Sequence, residues 1–163
     1  SNGMVNCEGT DSMTTLADLV EIVRASRERT AGVFPLPDVD SCIDYAITEA
    51  GEYLDAVLRD NVNGDKRNNS KDHDARRELG QSAYMVCSAF IQMPPEAMQL
   101  SYAGEESIYD MMMWLCLVRT NDEDSLPDAL QVYVNLCVAE GYNPADLLRE
   151  TCAAFERKHL QAA

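Results

Sequence analysis

The stretch DSCIDYAITEAGEYLDAVLR, residues 40–59, carries the strongest structural signal in the chain. Its apolar residues recur every three or four positions, which is the spacing of one face of an α-helix. Glu49 and Glu52 lie off this apolar face, and positions i and i+3 of a helix are surface neighbours. The stretch therefore predicts a long helix, capped by Asp38 or Asp40, that presents two carboxylates side by side. The predicted core stripe consists of Ile43, Ile47, Ala50, Leu54, Val57 and Leu58.

A second stretch, DARRELGQSAYMVCSAFIQM at residues 74–93, repeats this two-faced design and ends before a proline pair. Its core stripe is Leu79, Ala83, Val86 and Phe90. Two such helices packed together would bring several oxygen ligands into a small volume. Like charges gather only around a counter-charge, and a hard divalent cation is the usual one. The sequence therefore predicts a Mg²⁺-type centre, with Mn²⁺ as an alternative ion, whose candidate ligands are Glu49, Glu52, Asp74, Glu78 and Gln81.

The remainder of the chain has helical periodicity throughout, and no window alternates with the period of a strand. Helices are predicted from Thr15 to about residue 30, briefly from Pro95, and over about residues 108–119, 126–140 and 144–159. The predicted fold class is all-α, with a single domain at residues 14–163. Residues 1–13 are predicted to be a tag remnant and a flexible N-terminus.

The charge balance restricts the classes of partner. Lys and Arg number 13 and Asp and Glu number 28, which gives a net charge of −15. Nucleic-acid and anionic-lipid surfaces need clustered basic charge, so neither is an expected partner. A small anionic substrate remains open if a metal and local basic residues neutralise it.

Cysteine usage and hydropathy indicate a reduced, cytoplasmic location. The six cysteines are scattered, no C-x-x-C pair occurs, and four lie in apolar helical runs, where a free thiol acts as a small hydrophobe. No apolar run approaches membrane-spanning length. Neither His73 nor His159 has a partner at zinc-ligand spacing, and the Met111–Trp114 segment is typical of core or subunit interface.

The motifs Thr48–Glu52 and Glu78–Tyr84 resemble the paired motifs of the MazG-like, all-α nucleoside triphosphate pyrophosphohydrolases. This superfamily includes dimeric dUTPases and phosphoribosyl-ATP pyrophosphatases. Its pattern is E-E-x-x-E, then about two dozen residues, then E-x-x-D, often within E-L-G-D-x-x-Y. The match covers residues 40–93. It implies a helical bundle of the MazG-like type, with the motif helices contributing to a four-helix core.

The resemblance also implies a function. A member of this class cleaves a nucleoside triphosphate to the monophosphate and pyrophosphate with Mg²⁺, in a house-cleaning role, as a homodimer or homotetramer. Glu49, Glu52 and Glu78 match three ligand positions and are the expected catalytic residues. The expected phosphate-binding residues are Lys66, Arg77, Arg157 and Lys158.

Two positions depart from the family pattern. Thr48 replaces the leading glutamate, and Gln81 replaces the fourth ligand, an aspartate. An amide coordinates through its carbonyl oxygen, but it brings no charge and cannot act as a base. The alternative function is therefore a MazG-like protein that binds nucleotide or a protein partner without turnover.

Overall fold

The computed structural model describes residues 5–6, 13–59, 74–94 and 104–161. The described part is all-α in class, as the sequence predicts. No described helix is both long and apolar enough to cross a membrane. The described helices are α1 Leu16–Thr30, α2 Val39–Leu58, α3 Ala75–Ile91, α4 Ile108–Arg119, α5 Leu126–Glu140 and α6 Pro144–Leu160. A 3₁₀ turn, Glu123–Ser125, precedes α5.

The helix ends follow from local capping chemistry. Thr15 and Asp18 form a reciprocal capping box at the start of α1, with N···O distances of 2.9 and 3.1 Å. The Asp38 carboxylate accepts a hydrogen bond from the Ser41 N–H at 2.7 Å and so caps α2. Gly141 ends α5 in the left-handed conformation, with φ of 80°. These predicted boundaries are confirmed.

The N-terminal segment contains one structure that the sequence does not predict. Strand β1, Val5–Asn6, pairs antiparallel with strand β2, Met13–Thr14. Strands of two residues are too short to leave an alternating pattern, so periodicity misses them. The rest of residues 1–12 and the short helix predicted from Pro95 lie outside the described residues.

Helix α3 is the central element of the fold. It contacts α1, α2, α5 and α6, while α4 packs on α2 and α5. From Glu78 to Phe90 every residue of α3 except Gln81 is buried. The Ser82 hydroxyl donates a hydrogen bond to the Ala46 carbonyl at 2.7 Å, which fixes the register of α3 against α2. This packing leaves one side of the α2–α3 pair to carry the polar motif residues.

The buried face of α2 is broader than the predicted stripe: Ile43 and Ala50 are buried, and Ile47, Leu54 and Val57 pack partly buried against the core. Leu58 was expected in the core but is 47% exposed, whereas Ala46, Tyr53 and Ala56 are buried. Small alanine side chains let α2 approach α3 closely, so packing overrides the preference for the larger aliphatic residues. The flank that carries Glu49 and Glu52 faces Glu78 of α3.

A close approach between α3 and α6 depends on Gly80. A Cβ atom placed there would lie 2.3 Å from Thr151 Oγ1 and 3.2 Å from a methyl carbon of Leu147. We expect Gly80→Ala to lower the free energy of unfolding by about 1–3 kcal/mol, because overpacking outweighs the gain of up to about 1 kcal/mol in helix propensity. Urea denaturation followed by circular dichroism measures this change.

Gly51 in α2 provides the matched control, because a Cβ there would meet no atom within 4 Å. Gly51→Ala is expected to be neutral or stabilising by up to about 1 kcal/mol. Equal effects at the two glycines would contradict the close-packing role of Gly80. Combining Gly80→Ala with Thr151→Ala should restore part of the lost stability, since it removes the clashing hydroxyl.

Candidate metal centre

Three carboxylates converge where α2 and α3 face each other. Glu49 and Glu52 extend from α2 and Glu78 from the first turn of α3. One oxygen from each lies within 4.8 Å of the others. Glu78 is only 2% exposed, and the two α2 glutamates are partly buried. The structure thus brings together the three acids that the motif spacing selects.

Gln81 completes the ring of polar groups, one turn after Glu78. The orientation of its amide that satisfies hydrogen bonding places Nε2 3.1 Å from Glu49 Oε2 and 3.3 Å from Glu78 Oε2. The NH₂ group then donates to both carboxylates. Rotation of the amide by half a turn would instead aim its carbonyl oxygen at the same point, as a metal ligand requires. Gln81 is therefore chemically suited to the cluster with or without a cation.

Crowding of the acids shifts their protonation. Burial, together with the neighbouring Glu78 and Glu52 carboxyls, raises the pKa of Glu49 to about 9. Burial also raises the pKa of Glu78; a hydrogen bond with Glu49 and, to a smaller extent, the Arg77 guanidinium oppose this rise, and Glu52 adds to it. At neutral pH and without a cation the cluster therefore retains a proton. A divalent cation would displace it.

This proton makes a pH dependence testable. Below the usual glutamate pKa of 4.5, Glu49 is neutral in both the folded and the unfolded chain. As the pH rises toward about 9, the unfolded chain ionises freely while the folded chain keeps the proton, so stability is lost across this window. The slope is at most about 1.4 kcal/mol per pH unit, and partial exposure reduces it.

We therefore expect the metal-free protein to lose about 1–3 kcal/mol of unfolding free energy between about pH 5 and about pH 8. Denaturant titrations in a chelator at several pH values measure this loss. Glu49→Gln should flatten the dependence, because the titrating group is gone. An equally steep slope in that variant would assign the pH dependence to other carboxylates.

A cleft of about 620 Å³ opens beside the carboxylates, between α3 and α6. Glu52 and Glu78 line one part of it. Four cationic side chains also line it, namely Arg76, Arg77, Arg157 and Lys158, together with the acids Asp74 and Glu150 and the apolar residues Leu147, Ala154 and Phe155. Three of the four predicted phosphate-binding residues thus lie on the wall of the same cleft as two of the acids. The fourth, Lys66, lies outside the described residues.

The cations of the cleft differ in their existing partners. Arg77 lies 3.6 Å from Glu78 in the nearest N···O pair, and its buried Nε has no hydrogen-bond partner among the described residues. Arg76 forms a two-pronged ion pair with Glu150 of α6. Arg157 and Lys158 are exposed on the last turns of α6. Arg77 therefore has donor capacity left for an anionic ligand.

Asp74 occupies a different place from the one that its spacing predicts. Its carboxylate caps α3 by accepting the Arg76 N–H at 3.0 Å. It lines the cleft, but it is not among the three acids whose oxygens cluster. A residue immediately before a helix has its side chain committed to the free N–H groups of the first turn, so helical spacing does not apply to it. A role for Asp74 as a metal ligand stays a prediction.

Sequence reasoning missed a second cavity next to the cluster. This aromatic chamber, of about 310 Å³, is lined by the rings of Phe34, Tyr45, Phe155 and His159 and reaches Glu49. It shares Gln81, Phe155 and Lys158 with the cleft. The i, i+4 spacing of Phe155 and His159 on α6 was the available signal. The partners of that pair come from a distant loop and from α2, which no local pattern reveals.

The donor set fits a hard divalent cation. Three carboxylates and an amide that offers an oxygen are the ligands that Mg²⁺ and Mn²⁺ prefer. Among the described residues Arg77 is the cation that pairs with Glu78, and one guanidinium at 3.6 Å leaves most of the negative charge of the cluster unneutralised. The residues that would hold the ion are Glu49, Glu52, Glu78 and the carbonyl oxygen of Gln81.

Comparison with known proteins identifies no relative: no protein-family model matches the chain, and no curated protein or solved structure matches it. A function therefore has to be argued from the residues of the site.

Proposed function

We propose that this protein is a Mg²⁺-dependent nucleoside triphosphate pyrophosphohydrolase of the MazG-like class. One observation carries the proposal: three clustered carboxylates, Glu49, Glu52 and Glu78, adjoin a cleft whose wall bears four cationic side chains. A polyphosphate needs both a metal that bridges its oxygens and fixed cations along its length. The motif resemblance supports the same reaction class.

Each group has a defined task in this proposal. The carboxylates hold the ion, which supplies charge neutralisation and an acidified water when bound. Arg77, Arg157 and Lys158 are cations on the wall of the cleft, so they are suited to bind phosphoryl oxygens. Glu49 is protonated in the metal-free cluster and would lose this proton when the ion binds, so its carboxylate serves as a ligand.

The experiment is an assay of pyrophosphate release from a panel of ribo- and deoxyribonucleoside triphosphates, with Mg²⁺, with Mn²⁺ and with chelator alone. We expect turnover of at least one nucleotide that requires the metal and yields the monophosphate. Glu78→Gln should abolish it. Glu28→Gln, which changes an exposed acid on α1 outside the cleft, should not.

Gln81 favours a second candidate function, nucleotide binding without turnover. Its amide donates to Glu49 and Glu78, where the family pattern has an acid. A neutral group at this position weakens the field that attracts a divalent ion. Metal-dependent nucleotide binding in calorimetry, without product from any nucleotide of the panel, would favour this candidate over the hydrolase.

We also propose self-association through α4. Tyr109, Met113 and Leu117 follow one another at i, i+4 and i+8 and are 63%, 43% and 37% exposed. Met111 is buried, so the methionine run is divided between the core and this surface stripe. Light scattering should report a dimer or tetramer, and Met113→Lys should shift it toward the monomer.

A further inference from the structure

The aromatic chamber differs in character from the cleft beside it. Rings of Phe34, Phe155 and His159 pack at centroid distances of 3.9 to 6.2 Å and form one wall. Tyr45, 56% exposed on α2, stands on another side. The cleft carries eight charged side chains beside the apolar Leu147, Ala154 and Phe155, whereas the chamber is lined mainly by rings and apolar groups, with Glu49 and Lys158 as its charged residues. A ligand that fills both must be ionic at one end and planar and apolar at the other.

A buried cation stands behind this wall. Arg27 of α1 is 5% exposed, and its guanidinium carbon lies 4.5 Å from the centroid of Phe34 and 4.7 Å from that of Tyr84. It donates to the Ser88 hydroxyl at 3.1 Å and to the Phe34 carbonyl at 3.4 Å. No carboxylate among the described residues forms an ion pair with it. Burying an arginine without a counter-anion costs free energy of folding, so its other contacts have to explain why it is buried there.

The contacts of Arg27 with Phe34 explain its buried position. Phe34 lies in the loop between α1 and α2, where Pro35 and Pro37 exclude helix. Its N–H donates to the Thr30 carbonyl at 2.7 Å, which holds the backbone but leaves the ring to be positioned by side-chain contacts. Arg27 binds both the ring and the carbonyl of Phe34. It thereby fixes a loop residue against α3 and α6, at the wall of the chamber.

We propose that the aromatic chamber binds the planar base of the nucleotide whose polyphosphate lies in the cleft, and that Arg27 is the positioning residue that holds Phe34 for it. The proposal rests on the proposed function for its choice of ligand. A volume of about 310 Å³ is at the lower end of the range for small-molecule sites, which suits one base with part of its sugar. Stacking on aromatic rings is the usual way to bind a base face.

The first test measures nucleoside binding without phosphate or metal, by saturation-transfer NMR and calorimetry with adenosine, guanosine, cytidine and thymidine. We expect at least one nucleoside to bind. Phe34→Leu, which keeps apolar bulk but removes the ring, should weaken that binding by about tenfold. Binding of inorganic tripolyphosphate with Mg²⁺, the probe of the cleft, should be unchanged in this variant.

The second test addresses Arg27. Arg27→Met should weaken nucleoside binding to a similar degree as Phe34→Leu, again without changing tripolyphosphate binding. Arg27→Lys, which keeps the charge, should restore part of the affinity. Arg149→Met, at an exposed position on α6 outside both cavities, is the control. Circular dichroism melts report on folding, and Phe34→Leu tests the chamber even if an Arg27 variant does not fold.

The outcomes separate this proposal from the proposed function. Glu78→Gln should abolish Mg²⁺-dependent turnover and leave nucleoside binding intact, because Glu78 lines the cleft and not the chamber. Nucleoside binding in a protein that turns over no triphosphate would uphold the chamber and overturn the hydrolase. Absence of nucleoside binding, or binding that Phe34→Leu leaves unchanged, would overturn the chamber.

Discussion

Replacing Glu49 by glutamine is expected to lower Mg²⁺-dependent pyrophosphate release by at least about a hundredfold and to make the metal-free protein harder to unfold. The two effects have one cause. Glu49 contributes one of the three clustered oxygens, so its charge is needed to hold the ion. The same charge is repelled by Glu52 and Glu78 when no ion is bound.

The stability gain follows from the protonation of the cluster. Burial and its acidic neighbours raise the pKa of Glu49 to about 9, so folding at neutral pH forces a carboxyl to stay protonated or to ionise beside like charges. Glutamine has nearly the same shape and never ionises. Since Glu49 is only partly buried, we expect a gain of about 1–2 kcal/mol in unfolding free energy, well below what the shift alone would indicate.

Denaturation in chelator measures the stability of the metal-free protein, and denaturation in excess Mg²⁺ measures the stabilisation by the ion. Mg²⁺ should stabilise the unmodified protein and leave Glu49→Gln nearly unchanged, because a ligand stabilises only the state that binds it. Glu28→Gln provides a matched loss of one exposed charge. If Glu49→Gln destabilises the metal-free protein instead, the carboxylates are not in electrostatic conflict and the case for a cation site is lost.

The sequence predicts the helices well because their limits are set by nearest neighbours. Thr15 with Asp18, Asp38 with Ser41, and Gly141 each act within one turn of the chain. Such signals are complete in the sequence. The convergence of Glu49, Glu52 and Glu78 is predicted for a similar reason, since two antiparallel helices joined by one connection leave few ways to pair.

Features that depend on which of several contacts between distant parts of the chain forms are not predicted from the sequence. Helical spacing places Leu58 in the core, but the closer approach that Ala46 and Ala50 allow to α3 turns it outward. Spacing also groups Asp74 with Glu78, but the free N–H groups of α3 engage its carboxylate. Both results need the coordinates of a second element or of the backbone, which periodicity does not contain.

The aromatic chamber is the extreme case of this kind. Phe34, Tyr45 and Phe155 come from a loop, α2 and α6, and Arg27 reaches Phe34 from α1. Phe34 between two prolines indicates only a non-helical loop, and a buried arginine without a carboxylate partner has no sequence signature. The sequence therefore predicts the carboxylates of the site better than the rings beside them.

Replacing Gln81 by glutamate should have the opposite effects to those of Glu49→Gln. The two side chains have the same length, so the new carboxylate should occupy the place of the amide, 3.1 Å from Glu49 and 3.3 Å from Glu78. We expect Mg²⁺ affinity to rise by about tenfold or more, since a fourth anionic ligand strengthens a hard-cation site. The metal-free protein should lose about 1–2 kcal/mol of unfolding free energy, because the donor hydrogen bonds are replaced by repulsion.

Calorimetric titration with Mg²⁺ and denaturation in chelator measure these two changes. Gln81→Met, which keeps the length without polarity or charge, is the control and should weaken the metal site. Unchanged Mg²⁺ affinity in Gln81→Glu would mean that residue 81 lies outside the coordination sphere. A rise in turnover with affinity would show that the neutral amide limits catalysis in the natural sequence.

The double variant Glu49→Gln with Gln81→Glu distinguishes charge from position. It restores three carboxylates and one amide, with the amide now on α2 and the third acid on α3. Metal-free stability depends chiefly on how many like charges are crowded together, so it should return close to that of the unmodified protein. Catalysis depends on where the ligand carboxylates stand relative to the cleft and the chamber. Turnover should therefore stay low. Glu49 lines the chamber and lies next to Gln81, and a carboxylate at position 81 does not stand where that of Glu49 stood.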